Sequence, residues 1–482
     1  MRTLRQEGFE ALWAGGCVRD QVLGTTPKDY DIASTATPDD VIRIFGRRRT
    51  VAVGASFGVV MVLGPDRSAG QIEVATFRID GEYLDGRRPG SVIFCRPEED
   101  AKRRDFTING MFFDPLDHTL IDYVGGREDL ALGIVRAIGD PVARFTEDKL
   151  RMLRAIRFTA TFGFILDEAT ADAVYQLRQQ LNQVSAERIA QELKRMLSHA
   201  SRAHAFRLLQ QTGLLPEALP ELYRGNYGST NEVILTIVGQ TLTPLKSEQF
   251  EPAMALILRS LCHAGKGEPG GVSLMSLGLE SSRHFPSAVA LKIAENADGT
   301  RSVPATIDVN QVPFGASQRT LPSPTPKSMY PGTGGKPTAA AASVCRRLKL
   351  SNEETECICW LVESLPVLDD IRSRPLRIRK PLLAHPHFEL LLQMSAAVAA
   401  AENRPATDVE FCRDYMSTLH GDELCPPPLV DGQDLIALNV PQGPAFRILL
   451  STIRDEQLDE ILTTRITALE RLLELVNAST VG

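Results

Sequence analysis

The sequence predicts an α+β chain in which an amino-terminal domain of mixed sheet and helix leads into domains built of helices alone. Two observations carry this. Up to about residue 140, short β-branched runs alternate with turns rich in Gly, Pro and Asp, whereas from Asp140 to about residue 220 the apolar residues recur at helical spacing. A third observation sets the scale: 482 residues exceed what one hydrophobic core serves, so two to four domains are expected. The net charge of -7 argues against a protein that grips a polyanion over its whole surface and leaves that task to local basic clusters. Such clusters occur at 47–49, 87–88 and 102–104 and in the series Arg151, Arg154, Arg157.

The first element is a strand over Ala11–Ala14, followed by Gly15 and Gly16 and a helix starting near Val18. Two glycines at that junction leave backbone N–H groups bare where a phosphate can approach. Asp29 and Asp31 come next. On a strand, their spacing of two turns both carboxylates to one face, where they can grip divalent cations. Thr37 and Pro38 then open a helix through Phe45, the first as cap and the second in the first turn. Residues 51–64 and 71–80 read as neighbouring strands. Glu73, in the second, either faces the two aspartates as a third carboxylate or points to solvent. Residues 80–99 read as a mobile surface loop with a short strand at its end. In the run Arg103 to Gly110, paired arginines suit a polyphosphate, and Asp105 and Asn109 suit a sugar or a metal-bound oxygen. The alternative is a capped helix start. Residues 120–130 read as a strand ending in a Gly-Gly turn.

From Thr146 to Phe158 one helix is expected, with Leu150, Leu153 and Ile156 inward and Asp148, Arg151, Arg154 and Arg157 on the neighbouring face. With few compensating acids nearby, that stripe is either a solvated face or the contact for an anionic partner. Further helices are expected near 167–182, 185–199 (Ser185 as cap) and 201–212, and after Ser351, which heads a capping box with Glu354. Residues 265–340 lose all periodicity and read as a largely disordered insertion; Pro426–Pro428 mark a turn before the last helical unit. Eight scattered cysteines without a C-x-x-C pair, no apolar leader and no membrane-length apolar run suggest a cytoplasmic protein.

The segments GGCVRDQVLG, KDYDIA, IEVATFR, RRDFTING, IDYVGGREDL and EDKLRMLRAIRF, in this order, resemble the class II tRNA nucleotidyltransferase and bacterial poly(A) polymerase family, over roughly residues 10–215. The resemblance implies a nucleotidyltransferase-fold head (1–140), a helical neck for nucleotide selection (141–220), a helical body carrying the insertion (221–420) and an RNA-binding helical tail (421–482). It implies Asp29 and Asp31 as magnesium ligands, with Glu73 as the third acid. Gly16 and Arg19 would meet the triphosphate, Arg104 falls on the family's second arginine, and Gly15, Asp105 and Asn109 complete the nucleotide-binding set. Asp148, Arg151, Arg154 and Arg157 would read the base of ATP or CTP. The expected activity is addition of CMP and AMP to the 3′ end of tRNA; poly(A) or A-only addition and a catalytically silent RNA-binding protein are the alternatives. The full-length loop at 80–97 speaks against CC-only addition. His263 is followed by Ala264, so a fused phosphohydrolase site is not expected, and Gly110, where the family commonly has alanine, reads as a minor change. The sequence leaves the oligomeric state open.

Overall fold

A computed structural model describes residues 1–52, 54, 57–64, 70–81, 92–223, 228–263, 336–418, 421–438, 440 and 443–480. The amino-terminal part opens with helix α1 (Arg2–Gln6) and is built on strands β1 (Ala11–Ala14), β2 (Asp31–Ser34), β3 (Thr50–Val51), β4 (Val59–Leu63) and β5 (Gln71–Thr76). Then follow β6 (Arg78–Asp80), β7 (Val92–Phe94), β8 (Phe112–Asp114) and β9 (Thr119–Ile121). Seven of these form one sheet in the order β3-β4-β5-β2-β1-β8-β9, in which only β2 and β5 run parallel. The parallel pair is possible because α3 (Pro38–Phe45) and the β3–β4 hairpin intervene between them. Thr37 caps α3 in a complete capping box with Asp40, and Pro38 occupies its first turn.

Alternation along the strands builds two cores. One face of the sheet buries Leu4, Ala11, Ile32, Val41, Val60, Val62 and Val74; the other buries Leu12, Ala14, Ala33, Phe77, Ala101 and Phe112. On that second face β1, β2 and β5 each contribute one alanine: Ala14, Ala33 and Ala75. A trough is left between the sheet and α4 (Pro97–Lys102), and the site lies there.

The remainder is helical. Helices α5 (Gly126–Leu132), α6 (Pro141–Glu147), α7 (Leu150–Phe162), α8 (Glu168–Leu177), α9 (Ala186–Leu197) and α10 (Arg202–Gln211) share one continuous core, in which Met152, Leu153, Ala155 and Ile156 of α7 are fully enclosed. Helices then run to Thr480, among them one over Asn352–Leu368 that opens with the expected Ser351–Glu354 capping box. A terminal cluster around Leu435, Ile453, Ala468 and Leu472 forms a separate small core.

Several expectations shift at this level. The single helix over 146–158 is two helices, broken at Asp148 and Lys149. Ser185 precedes α9, as expected, but its side chain makes no capping bond. The loop expected over 80–99 is bounded by the β6–β7 pair, and its centre lies outside the described residues, as does the insertion up to residue 335; a helix begins at Lys336. Gly110 is no minor change either. A Cβ there would lie 2.7 Å from Val124 Cγ2 and 3.0 Å from Ile138 Cδ1, so alanine does not fit this packing unaltered. No described helix is long and apolar enough to cross a membrane.

Candidate active site

The parallel register places Asp31 opposite Glu73 and Ala33 opposite Ala75. With a period of two, all four share one face of the sheet. Ala14, Val59, Ala33 and Ala75 floor a cavity of about 240 Å³, and Asp31, Glu73, Arg78, Arg103 and Arg104 stand around it. Small floor residues make the room; strand pairing brings the two carboxylates side by side.

Asp29 is not on the strand that the spacing of two requires: it lies exposed in the bend before β2, so strand periodicity does not orient its carboxylate. Just after this bend Tyr30 packs against Trp13, with ring centroids 4.7 Å apart. The in-register partner of Asp31 is Glu73, which resolves the choice between facing the site and facing away. Both carboxyls are accessible at the cavity mouth, yet crowding strips them of water. That loss of hydration raises the pKa of Asp31; Arg104 opposes the rise and Asp29 adds to it. Glu73 is raised by the same loss and by the charge of Asp31, with Arg78 opposing.

Gly15 sits between β1 and α2 (Gly16–Val22) with φ +75°, a conformation that favours glycine. A Cβ on it would lie 3.3 Å from Arg104 Nη1, so the absent side chain is what lets the turn approach this guanidinium. Arg104 also lies over the Phe112 ring, 4.9 Å from its centroid.

A chain of polar contacts leads from this turn to the neck. Arg19 donates to Asp20 and, over 2.7 Å, to Asn109 Oδ1, and its guanidinium rests 4.5 Å from the Phe162 centroid. Asn109 donates to Asp105 (3.1 Å), whose other oxygen accepts from Arg154 Nε and Nη2 (2.8 and 2.5 Å). Burial pushes the Asp105 carboxyl up. The Arg154 charge, the hydrogen bonds from Arg154 and Asn109 and the Phe106 N–H outweigh it and bring the pKa down to about 2.

The arginine stripe is not the uncompensated surface that its local sequence suggests. Arg151 pairs with Glu147 (2.7 Å) and donates to the carbonyl of Arg103 (3.3 Å), Arg154 with Asp105, and Arg157 with Glu192 (2.6 Å). Asp148, at the break between α6 and α7, is gripped by Arg188 over 3.0 and 2.8 Å. The compensating acids lie up to 49 positions away, which local periodicity cannot reveal. Of the residues singled out from sequence, the cavity therefore gathers Asp31, Glu73 and Arg104. Arg19, Asn109, Asp105 and Arg154 form the adjoining chain, and Asp148, Arg151 and Arg157 belong to the neck. Sequence reasoning missed Arg78, Asp100, Arg188 and Glu192. Only Asp100 carried a local signal, standing three and four residues before Arg103 and Arg104 on a helix.

The donor set suits a hard divalent cation. Two crowded carboxylates of raised pKa are relieved by a cation between them, and carboxylate oxygens match magnesium. Among the described residues no three His, Cys, Asp or Glu side chains cluster tightly enough to cage a metal. A cation held here would complete its shell with water and substrate oxygens, as magnesium characteristically does.

Residues 11–136 match the poly A polymerase head domain, and residues 163–224 match the probable RNA and SrmB-binding site of polymerase A. The CCA-adding enzyme of Geobacillus sp. (strain WCH70) is 44% identical over 215 residues, 44% of this chain and 52% of that protein. That of Bacillus velezensis is 39% identical over 260 residues, 54% of this chain and 63% of that protein. The matched stretch thus spans between half and two thirds of these relatives. The crystal structure of the Bacillus stearothermophilus CCA-adding enzyme in complex with CTP superposes with a TM-score of 0.68 at 25% identity, covering 100% of this chain and 96% of that one. The Thermotoga maritima CCA-adding enzyme complexed with tRNA shares the fold with a TM-score of 0.54 at 18% identity, covering 98% and 93%. The amino-terminal part therefore has the fold of a nucleotidyltransferase head and is similar to the poly A polymerase head domain over residues 11–136, and the remainder is mainly helical.

Proposed function

We propose that the protein is a template-independent RNA nucleotidyltransferase that adds CMP and AMP to the 3′ end of tRNA, releasing pyrophosphate. The observation that carries this reading is the in-register pair Asp31 and Glu73 in one cavity with Arg104, beside a glycine turn that lets Arg104 reach the backbone. Likeness to CCA-adding enzymes in sequence and fold supports the choice of substrate.

In this reading Asp31 and Glu73, joined by Asp29, hold magnesium, in a site for two ions. A magnesium ion held by these carboxylates would supply positive charge that lowers the cost of ionising the RNA 3′-hydroxyl and of charge on the phosphates. The chain's own part is positioning. Gly15 and Gly16 admit the triphosphate, and Arg104 with Arg19 offsets its charge. The chain from Arg19 through Asn109 and Asp105 to Arg154 keeps the phosphate end in register with the neck, where Asp148, Arg151 and Arg157 meet the base. Residues 1–140 form the catalytic head and 141–220 the neck; 221–420 and 421–482 hold the tRNA. The family model's name gives a second reading, addition of poly(A).

One experiment separates them. Transcripts of tRNA ending before the first C or after CC, and an unrelated RNA, are incubated with magnesium and ATP, CTP or both. The proposal expects completion to CCA on the tRNAs and none on the unrelated RNA. Long A tails on any RNA establish the second reading, and no incorporation overturns both.

A further inference from the structure

Beside the cavity, Asp100 on α4 is the most confined carboxylate, with 1% of its surface exposed. Its Oδ1 accepts from the backbone N–H of Arg78 (3.1 Å), from Arg103 Nε (2.9 Å) and from Arg103 Nη2 (2.7 Å). Its Oδ2 accepts from Arg104 Nε (3.2 Å) and Nη2 (3.0 Å). One buried anion thus holds two guanidiniums, each by its Nε–Nη2 edge, together with the backbone of a third cavity-lining arginine. The edge of Arg104 that Asp100 does not occupy carries Nη1, which lies at the glycine turn and within 3.5 Å of the Asn109 carbonyl. Burial alone would raise the Asp100 pKa; the charges of Arg104 and Arg103 outweigh it, so the group is an anion at neutral pH.

We propose that Asp100 is a positioning residue for the triphosphate: without touching substrate, it locks Arg103 and Arg104 with fixed edges toward the cavity. The physical ground is preorganisation. A long cationic side chain that is already ordered loses less freedom when an anion binds. A guanidinium anchored along one edge can still offer the other to phosphate oxygens. The inference rests on the reading of this cavity as a nucleoside triphosphate site.

The test measures equilibrium binding of ATP and of inorganic pyrophosphate, KM and kcat, and the melting temperature, for full-length wild type, D100N and D100E. D100N keeps shape and removes charge, and is expected to weaken both ligands at least tenfold. KM for ATP should rise in proportion while kcat falls less than threefold. D100E keeps the charge but displaces both guanidiniums, and an intermediate loss of about threefold is expected. In an R104A background D100N should add little further loss. Wild-type affinity in either folded variant overturns the inference, as does a drop in melting temperature or active fraction with unchanged affinity per active molecule. Should D100N not fold, D100E decides by the same criterion. A wild type that binds ATP but extends no RNA overturns the proposed function, while the ratio of affinities still decides the role of Asp100.

Discussion

The acidic pair of the head and the arginines of the neck handle charge in opposite ways. Asp31 and Glu73 stand in register on neighbouring strands, with Asp29 close enough to raise the pKa of Asp31; Arg104 and Arg78 offset their crowding only in part, and both carboxyls keep a raised pKa. In the neck and at its seam with the head, charges of both signs close on one another: Arg151 with Glu147, Arg154 with Asp105 of the head, Arg157 with Glu192, and Arg188 with Asp148. Crowded like charges stabilise nothing and make sense as a place for something absent from the chain itself. Closed pairs hold a shape. The difference separates carboxylates set aside for a cation from paired groups whose partners fix how they face the cleft, and it predicts that mutations in the two regions fail differently.

The head should lose activity and keep its fold. Glu73→Gln is expected to lower nucleotide incorporation at least a hundredfold, about 3 kcal/mol of barrier, with no fall in melting temperature, because repulsion is removed. Incorporation within threefold of wild type would return Glu73 to an ordinary surface acid. The neck should do the reverse. Glu192, 2% exposed, neutralises Arg157 and Arg195; Glu192→Ala leaves the partly buried Arg157 without its partner and should cost about 3 kcal/mol of stability in urea unfolding. A cost near zero would show that the closed network braces nothing.

Asp105 extends the contrast to pH. Its folded pKa of about 2 lies below the ordinary 3.8, so its contribution is complete above about pH 4 and is lost as pH falls toward 2. Asp105→Asn should therefore destabilise the protein at pH 7 by about 2 kcal/mol and flatten its stability profile between pH 4 and 2. Parallel profiles of mutant and wild type would contradict the assignment. The smallest effect is expected from Arg151→Ala. Its pairing with Glu147 orients it within the neck and its bond to the Arg103 carbonyl joins neck to head; its loss should narrow the preference for CTP and ATP over UTP and GTP about tenfold, roughly 1.4 kcal/mol. Unchanged selectivity would confine Arg151 to bracing.

What could be read from the chain follows the range of the interactions. Local devices were legible: the Thr37 and Ser351 capping boxes, the glycine turn at Gly15 and the change of period after Asp140 all rest on residues a few positions apart. The acidic group was legible by residue and not by arrangement. Asp31 and Glu73 both stood out, but their adjacency is set by the pairing of β2 with β5 across 42 positions, and Asp29 lies off the strand. The meaning of the neck arginines was hidden for the same reason. Asp105 is 49 positions from Arg154 and Glu192 is 35 from Arg157, so a stripe that looked unbalanced is balanced by folding.

The most direct test of the acidic pair uses Asp31→Ala and wild type side by side, following magnesium-dependent addition of a single CMP to a tRNA transcript while monitoring thermal unfolding. The account predicts at least a thousandfold loss of incorporation in a protein that melts at or above the wild-type temperature. Retained turnover, or activity lost only in step with a collapsed fold, would contradict it.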